Sequence, residues 1–267
     1  GTFAAIRELA PRIQCTSPER IRDEITKMLT EGAAGRAFRL LDESGLLDEV
    51  LPEIARMKGV EQPPEYHPEG DVFTHTMLIL DRLNGPTSTL GYGALLHDVG
   101  KPLTRTFEDR IRFNNHDKVG AHEARNICRR LHMSNQETEG IAWLVEQHMR
   151  VSTAPSMRES KLKRLVREDG FAELLELFRI DCESSHRQMD TYEWLRNYAE
   201  NIPPEEQRPT PLITGDDLVE LGYKPGPLFR TILMAVEDAQ LEGRFVDAEA
   251  VREFVVNSWP VRPQLPI

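Results

Sequence analysis

The sequence predicts an all-α fold. Apolar residues recur at the three- and four-residue spacings of amphipathic helices over most of the 267 residues. Turns rich in proline and glycine separate these segments, and no alternating run of β-branched residues indicates a strand. A chain of this length can bury a large core, so we expect either one large helical domain or two smaller units.

The first predicted helix lies in "SPERIRDEITKML", where Ser17 is placed to cap the N-terminus and Pro18 occupies the first helical position. Gly32 supplies its end. A second helix, "GRAFRLLDESG", is expected to end at Gly45, and apolar residues continue from there to Pro52.

Helical patterns resume after the proline-rich turn "EQPPEYHPEGD". We expect them over residues 72–83, 90–97, 118–132, 135–149, 160–168 and 171–200. The prolines of "NIPPEEQRPTPLI", residues 201–213, mark the clearest boundary. Beyond it the pattern predicts two helices joined by a Gly/Pro turn and a third helix that Asp247 caps.

Composition argues against several classes of protein. With 33 Lys and Arg against 44 Asp and Glu, the net charge is −11, so indiscriminate nucleic-acid binding is not expected and any RNA contact would be local. The widely spaced Cys15, Cys128 and Cys182 indicate neither a disulfide framework nor a thiolate zinc site, which fits a reducing cytoplasm. No apolar run approaches the length of a membrane span.

Histidines and aspartates at inward-facing positions predict a metal site. The run "ALLHDVGKP" carries His97 and Asp98 at the end of a predicted helix, while His75 and Asp181 each lie on the apolar face of another. An ionised aspartate on a buried face needs a partner. We therefore predict that these four residues hold a divalent metal ion, for which the mixed ligands admit Mg, Mn, Fe, Ni, Co or Zn.

Two further histidines extend this site. His116 in "NNHDKVGAHEA" and His148 in "WLVEQHMR" are candidates for a second ion, with Asp98 as the bridge. Two ions would polarise a phosphate and lower the pKa of a bridging water, and Lys101 would stabilise the phosphoryl oxygens. The alternative for each histidine is a hydrogen-bonded core residue. We expect the remaining candidates at the surface or in the core: His67, His122, His132 and His186.

These residues resemble the HD superfamily of metal-dependent phosphohydrolases, whose signature is a His, then His-Asp, then a distant Asp. The segments "FTHT", "LLHDVGKP" and "FRID" carry the resemblance, and "FNNHDKVGAHEA" and "EQHM" resemble the additional histidines of its dinuclear members. The resemblance implies phosphate ester substrates and makes Asp98 and Lys101 the expected catalytic residues.

The flanks resemble a more specific family, the bacterial CCA-adding tRNA nucleotidyltransferases and their poly(A) polymerase relatives. "SPERIRDEITKML" with "AFRLLDESGLLDEVLPEI" is similar to their RNA-binding neck, and "LITGDDLVELGYKPGPLFRTILMAVEDAQLEG" to their tail. HD-bearing members place the HD region between the two. We therefore expect an RNA-binding neck over 1–62, an HD phosphohydrolase domain over 63–201 and a helical tail over 202–267.

The nucleotide-adding head of that family uses a Gly-Ser turn followed by paired carboxylates on a strand, and the sequence contains neither. The adjacent acids of "GDDLVEL" are typical of a helix N-terminus. Because the chain begins at Gly1 rather than at a methionine, we expect the C-terminal portion of a longer enzyme. Nucleotide addition would then depend on the head.

The predicted RNA contacts are local. In "RESKLKRLVR" the basic residues Lys161, Lys163, Arg164 and Arg167 form a cluster that can contact phosphates, and Lys224 in the tail turn "GYKPGP" is a second candidate. A solvated helix face is the alternative for the cluster. The expected partner is tRNA or another RNA 3′ end.

Our main hypothesis combines RNA positioning with metal-dependent hydrolysis of a 2′,3′-cyclic phosphate or a phosphomonoester at an RNA end. One alternative is a stand-alone HD nucleotide phosphohydrolase, which an upstream nucleotidyltransferase head would exclude. Another is an HD scaffold that binds RNA without turnover.

Overall fold

The computed structural model describes residues 1–65, 67–107, 109–185, 187–245 and 247–260. These residues fall into two compact units. The first contains residues 1–153 and 172–194, and the second contains residues 154–171 and the described residues from 195 onward. Both units are helical, which confirms the predicted all-α fold. The three-part division at residues 62 and 201 stays a prediction.

In chain order the α-helices are α1 (Thr2–Leu9), α2 (Pro18–Thr30), α3 (Ala34–Glu43), α4 (Leu46–Val50), α5 (Pro52–Ala55), α6 (Val72–Leu80), α7 (Ser88–Leu96), α8 (Lys101–Thr104), α9 (His116–Arg130), α10 (Asn135–Gln147), α11 (Glu159–Val166), α12 (Phe171–Ser184), α13 (Asp190–Asn201), α14 (Pro204–Gln207), α15 (Gly215–Glu220), α16 (Pro227–Leu241) and α17 (Ala248–Ser258). Two 3₁₀ helices span Ala10–Cys15 and His148–Ser156. Two strands, β1 (Arg105–Phe107) and β2 (Ile111–Phe113), pair in an antiparallel hairpin.

The structure departs from the sequence prediction in several short elements, since α1, the 3₁₀ helix Ala10–Cys15, α8, α14 and the β-hairpin were not predicted. The hairpin was not predicted because each strand has three residues, too few to establish an alternating pattern. The single helix expected over 171–200 is divided into α12 and α13, which are separated by residues 185–189.

The helix ends follow the expected capping chemistry with one exception. Asp247 caps α17, its side chain accepting a backbone N–H at 2.8 Å. Thr214 and Asp217 form a reciprocal capping box on α15, so the acids of "GDDLVEL" do begin a helix. Ser17 stands at the N-cap of α2, but its side chain makes no capping hydrogen bond.

Helix α7 lies at the centre of the first unit. It packs against α2, α6 and α10, and α10 packs in turn against α9. Its residues Tyr92, Leu95 and Leu96 are fully buried. Gly93 permits the close approach of α10, since a Cβ atom there would lie 2.8 Å from Leu144 Cδ1. This packing fixes the C-terminal end of α7 inside the unit, where a functional side chain can be held rigidly.

The second unit has its own core, built by α15, α16 and α17. Leu218, Ile232 and Val251 are fully buried there. The Tyr223 hydroxyl donates a hydrogen bond of 2.7 Å to the carbonyl of Trp259, which ties the turn after α15 to the end of α17. Helix α11 packs against α14 and α16.

The cysteines and the helix lengths agree with the exclusions drawn from composition. Cys15, Cys128 and Cys182 are all free thiols. Burial raises the pKa of Cys128 and of Cys182 to about 12, so neither is disposed to ionise and bind a metal. Among the described helices, none has the combination of length and apolar character needed for a membrane span.

Candidate metal centre

The six predicted ligands come from five helices of the first unit. Each stands on a helix or directly after one: His75 on α6, His97 and Asp98 after α7, His116 at the start of α9, His148 after α10 and Asp181 on α12. The structure brings all six together in two adjacent groups. The first group is His75, His97 and Asp181, and the second is Asp98, His116 and His148.

The first group brings two imidazoles and a carboxylate together, with one ligand atom from each residue within 4.8 Å of the others. His75 Nε2 lies 3.1 Å from Asp181 Oδ1. The rings of His75 and His97 have their centroids 5.5 Å apart. Both histidines are buried, while the Asp181 side chain retains 27% of its exposure, so one side of this group remains open.

The second group is arranged around Asp98 Oδ1. His116 Nε2 lies 3.6 Å from this oxygen and His148 Nε2 lies 3.8 Å from it, and the two nitrogens are 3.2 Å apart. The other oxygen, Oδ2, lies 3.1 Å from His97 Nε2. Asp98 therefore directs one oxygen toward each group, the arrangement of a carboxylate that bridges two ions.

Backbone hydrogen bonds orient three of the imidazoles. Nδ1 of His97, His116 and His148 lies 2.9, 2.7 and 2.7 Å from the carbonyl oxygens of residues 94, 113 and 145. A carbonyl oxygen can only accept, so Nδ1 carries the proton and Nε2 presents its lone pair to the site. Carbonyls of α7, α10 and β2 thus set the tautomer that metal binding requires.

Several buried atoms at the centre lack a hydrogen bond of acceptable geometry: His75 Nε2, His97 Nε2, Asp98 Oδ2 and Asp181 Oδ1. These atoms are in ion-pair contact with one another, and Asp98 Oδ2 also with Lys101, but a buried polar atom without a well-formed hydrogen bond still costs about 1–3 kcal/mol. A divalent cation would accept donation from all four, and histidine nitrogens with carboxylate oxygens are ordinary ligands of such ions. The residues therefore fit a metal ion.

The site holds its acids ionised. Burial alone would raise the pKa of Asp98, but its contact with His97 and the charge of Lys101 outweigh burial and hold that pKa well below its usual range. Asp181 has a lowered pKa because its close contact with the imidazole of His75 outweighs burial. Two anionic carboxylates inside one protein unit favour a bound cation.

The pKa values of His148 and His75 are shifted in opposite directions. Burial lowers the pKa of His148 to about 4, so its imidazole is neutral near pH 7, as a metal ligand must be. Burial would also lower the pKa of His75, but its contacts with Asp181 and Glu69 outweigh burial and raise the pKa to about 9, so a metal ion that binds Nε2 must displace a proton from His75.

Lys101 connects the centre to the loop before α6. Its ammonium lies 2.7 Å from Asp98 Oδ2 and donates a hydrogen bond of 2.6 Å to Gln62 Oε1. Lys101 and Gln62 are both buried, and Gln62 Nε2 has no partner. A fixed cation and a free amide donor beside the predicted ligands suit the recognition of a phosphoryl group.

Two residues of that loop were missed by the sequence analysis. Glu69 Oε1 lies 2.5 Å from His75 Nδ1 and 3.0 Å from Nδ1 of His67, which was expected to be an ordinary surface or core histidine. The three residues can themselves surround an ion. The only signal in the sequence is that "HPEGD" directly precedes α6. His186 lies outside the described residues.

Gly100, two residues after Asp98, packs directly against the backbone of α9. A Cβ atom on Gly100 would lie 2.2 Å from His116 O and 2.6 Å from Gly120 N. Only glycine leaves room for this approach of two backbones. The contact keeps His116 next to Asp98.

Three of the four basic residues of the predicted RNA-binding cluster have hydrogen-bond or ion-pair partners within the second unit. Lys163 is buried and donates to the carbonyl of Leu241 at 3.1 Å. Arg164 and Arg167 both pair with Glu237 of α16. These contacts neutralise the three charges within the unit instead of leaving them on the solvated helix face that was the alternative, and a role for the three residues in RNA binding stays a prediction. Lys161 and Lys224 are exposed, and a role for either in RNA binding stays a prediction.

Two protein-family models match the chain. The model described as the probable RNA and SrmB-binding site of polymerase A matches residues 1–58. The HD domain model matches residues 70–207, which is more than half of the chain. The second match contains all six residues of the two ligand groups.

Curated relatives match over most of the chain. The CC-adding tRNA nucleotidyltransferase of Thermus thermophilus is 34% identical over 250 residues, covering 89% of this chain and 56% of the relative. The A-adding tRNA nucleotidyltransferase of Deinococcus radiodurans is 30% identical, covering 95% and 62%. The multifunctional CCA protein of Cupriavidus metallidurans is 32% identical, covering 70% and 46%. The chain thus spans about half the length of these relatives.

Proposed function

Since the chain belongs to the HD-domain family and carries a match to the RNA-binding segment of polymerase A ahead of the HD domain, we propose that it hydrolyses phosphoesters at RNA ends with the help of a divalent metal. Its substrate would be a 2′,3′-cyclic phosphate or a phosphomonoester. Its N-terminal segment would position tRNA, the substrate that the names of the relatives indicate, for a nucleotidyltransferase head.

One observation carries the hydrolytic part of the proposal. Asp98 directs one oxygen to His97 and the other to His116 and His148, beside buried ligand atoms that lack hydrogen bonds. A scaffold that needed only stability would gain by pairing or removing such atoms.

Each of the two ligand groups would hold one metal ion. His75, His97, Asp98 and Asp181 would hold one ion, and Asp98 with His116 and His148 would hold a second. Bound divalent ions polarise phosphoryl oxygens and lower the pKa of a bound water. Lys101 would stabilise the negative charge that develops on the phosphoryl oxygens. The hydrogen bonds from Nδ1 to backbone carbonyls keep the imidazoles of His97, His116 and His148 in place. Hydrolysis adds water across one P–O bond: a 2′,3′-cyclic phosphate opens to a phosphomonoester and a free ribose hydroxyl, and a phosphomonoester gives a ribose hydroxyl and inorganic phosphate.

The test is hydrolysis of a 2′,3′-cyclic nucleotide by the purified chain, with and without added Mn²⁺, Ni²⁺ or Mg²⁺. We expect metal-dependent turnover that Asp98→Asn reduces to background. His116→Ala should also lose most of the activity. The matched control is His122→Ala, because His122 lies on the same helix but is exposed.

Two results would contradict the proposal. Turnover that survives both chelation and the Asp98 substitution would place the chemistry elsewhere. Failure to hydrolyse any cyclic or monoester substrate with any of these metals would favour the scaffold alternative, in which the chain binds RNA without turnover.

A further inference from the structure

The β-hairpin joins two parts of the candidate metal centre along the chain. Lys101 begins α8, which leads directly into β1, and β2 is followed after residues 114–115 by His116 at the start of α9. Both ends of the hairpin are therefore anchored at residues of the site. Nothing in the proposed chemistry yet uses the hairpin itself.

The strand register determines which side chains face the site. Arg105 pairs with Phe113, and Phe107 pairs with Ile111. Residues directly opposite in an antiparallel pair, and residues two apart in one strand, point to the same face, so these four side chains share one face of the hairpin. The Phe113 ring lies on that face with its centroid 5.5 Å from Lys101 Nζ.

Phe107 is the outermost member of this face. Its side chain is 73% exposed, more than any other large apolar side chain in the described part of the chain. It lies two residues beyond the level of Phe113, which is about 7 Å along the strand. An exposed aromatic ring one level beyond Phe113, which itself contacts Lys101, is available to stack on a flat group of a ligand whose phosphate is at the site.

The hairpin is also locally basic. Residues 105–113 contain three basic and two acidic side chains in a chain whose net charge is −11. Arg105 is exposed, and its contact in the structure is a 3.4 Å ion pair with the exposed Glu61. Exposed ion pairs of this kind contribute about 0–1 kcal/mol, so a phosphate can replace the carboxylate at little cost.

We propose that Phe107 stacks on the base of a single-stranded RNA 3′ end while Arg105 contacts its phosphate backbone. Aromatic side chains combined with arginine are the usual means of binding single-stranded nucleic acid without sequence preference. The hairpin then sets the preference of the site for phosphoesters that carry a base. The inference rests on the proposed hydrolysis at the metal centre. It adds that the substrate is recognised by its base as well as by its phosphate.

Binding is measured first, without turnover. The probe is the trinucleotide CCA ending in a 2′,3′-cyclic phosphate and labelled at its 5′ end, titrated by fluorescence anisotropy in the presence of a chelator. Phe107→Ala should raise the Kd roughly 5- to 150-fold, the range of base–aromatic stacking. Phe107→Trp should keep the affinity of the parent protein. Leu103→Ala is the control, because Leu103 is exposed on α8 but lies outside the hairpin face.

Measurements of turnover distinguish a failure of this inference from a failure of the proposed hydrolysis. With metal present, Phe107→Ala should lower kcat/KM for a 2′,3′-cyclic nucleotide but not for glycerol 1,2-cyclic phosphate, which has no base. Loss of RNA binding in a protein that hydrolyses nothing would support the hairpin and contradict the hydrolysis. Equal RNA affinity in the Phe107→Ala and parent proteins, or no RNA binding by the parent, would overturn the role of the hairpin.

Discussion

Glu69 is a single residue that acts on the metal centre without belonging to either ligand group. Its Oε1 accepts from His75 Nδ1, which leaves His75 Nε2 free to face Asp181. A carboxylate behind a ligating histidine fixes its ring and increases its basicity. Burial would raise the pKa of Glu69, but the two histidine contacts outweigh it and lower the pKa to about 2, so Glu69 stays anionic.

We predict that Glu69→Ala weakens Mn²⁺ binding about 10- to 100-fold, the usual effect of removing such a carboxylate. Glu69→Gln should lose less, because an amide oxygen still accepts from His75. Isothermal titration calorimetry with Mn²⁺ measures both. Glu65→Ala, an exposed glutamate of the same loop, serves as the control. Unchanged affinity in Glu69→Ala would show that His75 needs no such support.

Other residues mark the limits of what the sequence could predict. The inward positions of His75 and Asp181 followed from helical spacing, because periodicity reports which face is buried. The pairing of Arg164 with Glu237 did not, because the two are 73 positions apart. A basic cluster in a sequence shows its own charges but not the acids that the fold places beside it.

Among the elements, the position of α9 depends on a backbone contact with Gly100 that leaves no room for a side chain at residue 100. Gly100 has an ordinary φ of −80°, so its requirement for glycine comes from space and not from backbone conformation. The atoms that would clash with a Cβ are backbone atoms of α9, which cannot rotate away as a side chain can.

Gly100→Ala should therefore destabilise the first unit by about 1–3 kcal/mol or more and displace His116 from Asp98. Gly140→Ala is a matched control on α10, because its Cβ atom would meet only Thr89 at an ordinary 3.4 Å. That control should be neutral or more stable, since alanine favours a helix by about 1 kcal/mol. Urea unfolding gives both values, and a Gly100→Ala protein as stable as the parent would refute the steric argument.

The long helices could be predicted from the sequence, whereas the short elements could not. Long amphipathic helices such as α9 and α10 follow from periodicity because their buried faces repeat over several turns. The hairpin carries too few residues for any period, and residues 185 and 187–189 lie outside helices although the sequence pattern is continuous between α12 and α13. Short elements are determined by their neighbours in space, which a single sequence does not reveal.

At the scale of the whole molecule, all six candidate ligands lie in the first of two compact units, and the second unit has a separate apolar core. An ion that binds only the folded first unit stabilises that unit alone, by about 2.7 kcal/mol at a concentration 100 times its Kd. Two units with separate cores can unfold in separate transitions, so the metal effect should appear in one of them.

We predict that Mn²⁺ at such a concentration raises the Tm of one transition by about 5–10 °C, given the 2–4 °C per kcal/mol typical of units of this size. Scanning calorimetry with and without chelator measures the shift. In Asp98→Asn the shift should vanish, because the carboxylate between the two groups has become an amide, while the metal-independent transition stays in place. An equal shift in the parent and in Asp98→Asn would mean that the ion stabilises the chain from some other surface. A single transition that shifts would mean that the two units unfold together, and the ligand groups would then stabilise the molecule as a whole.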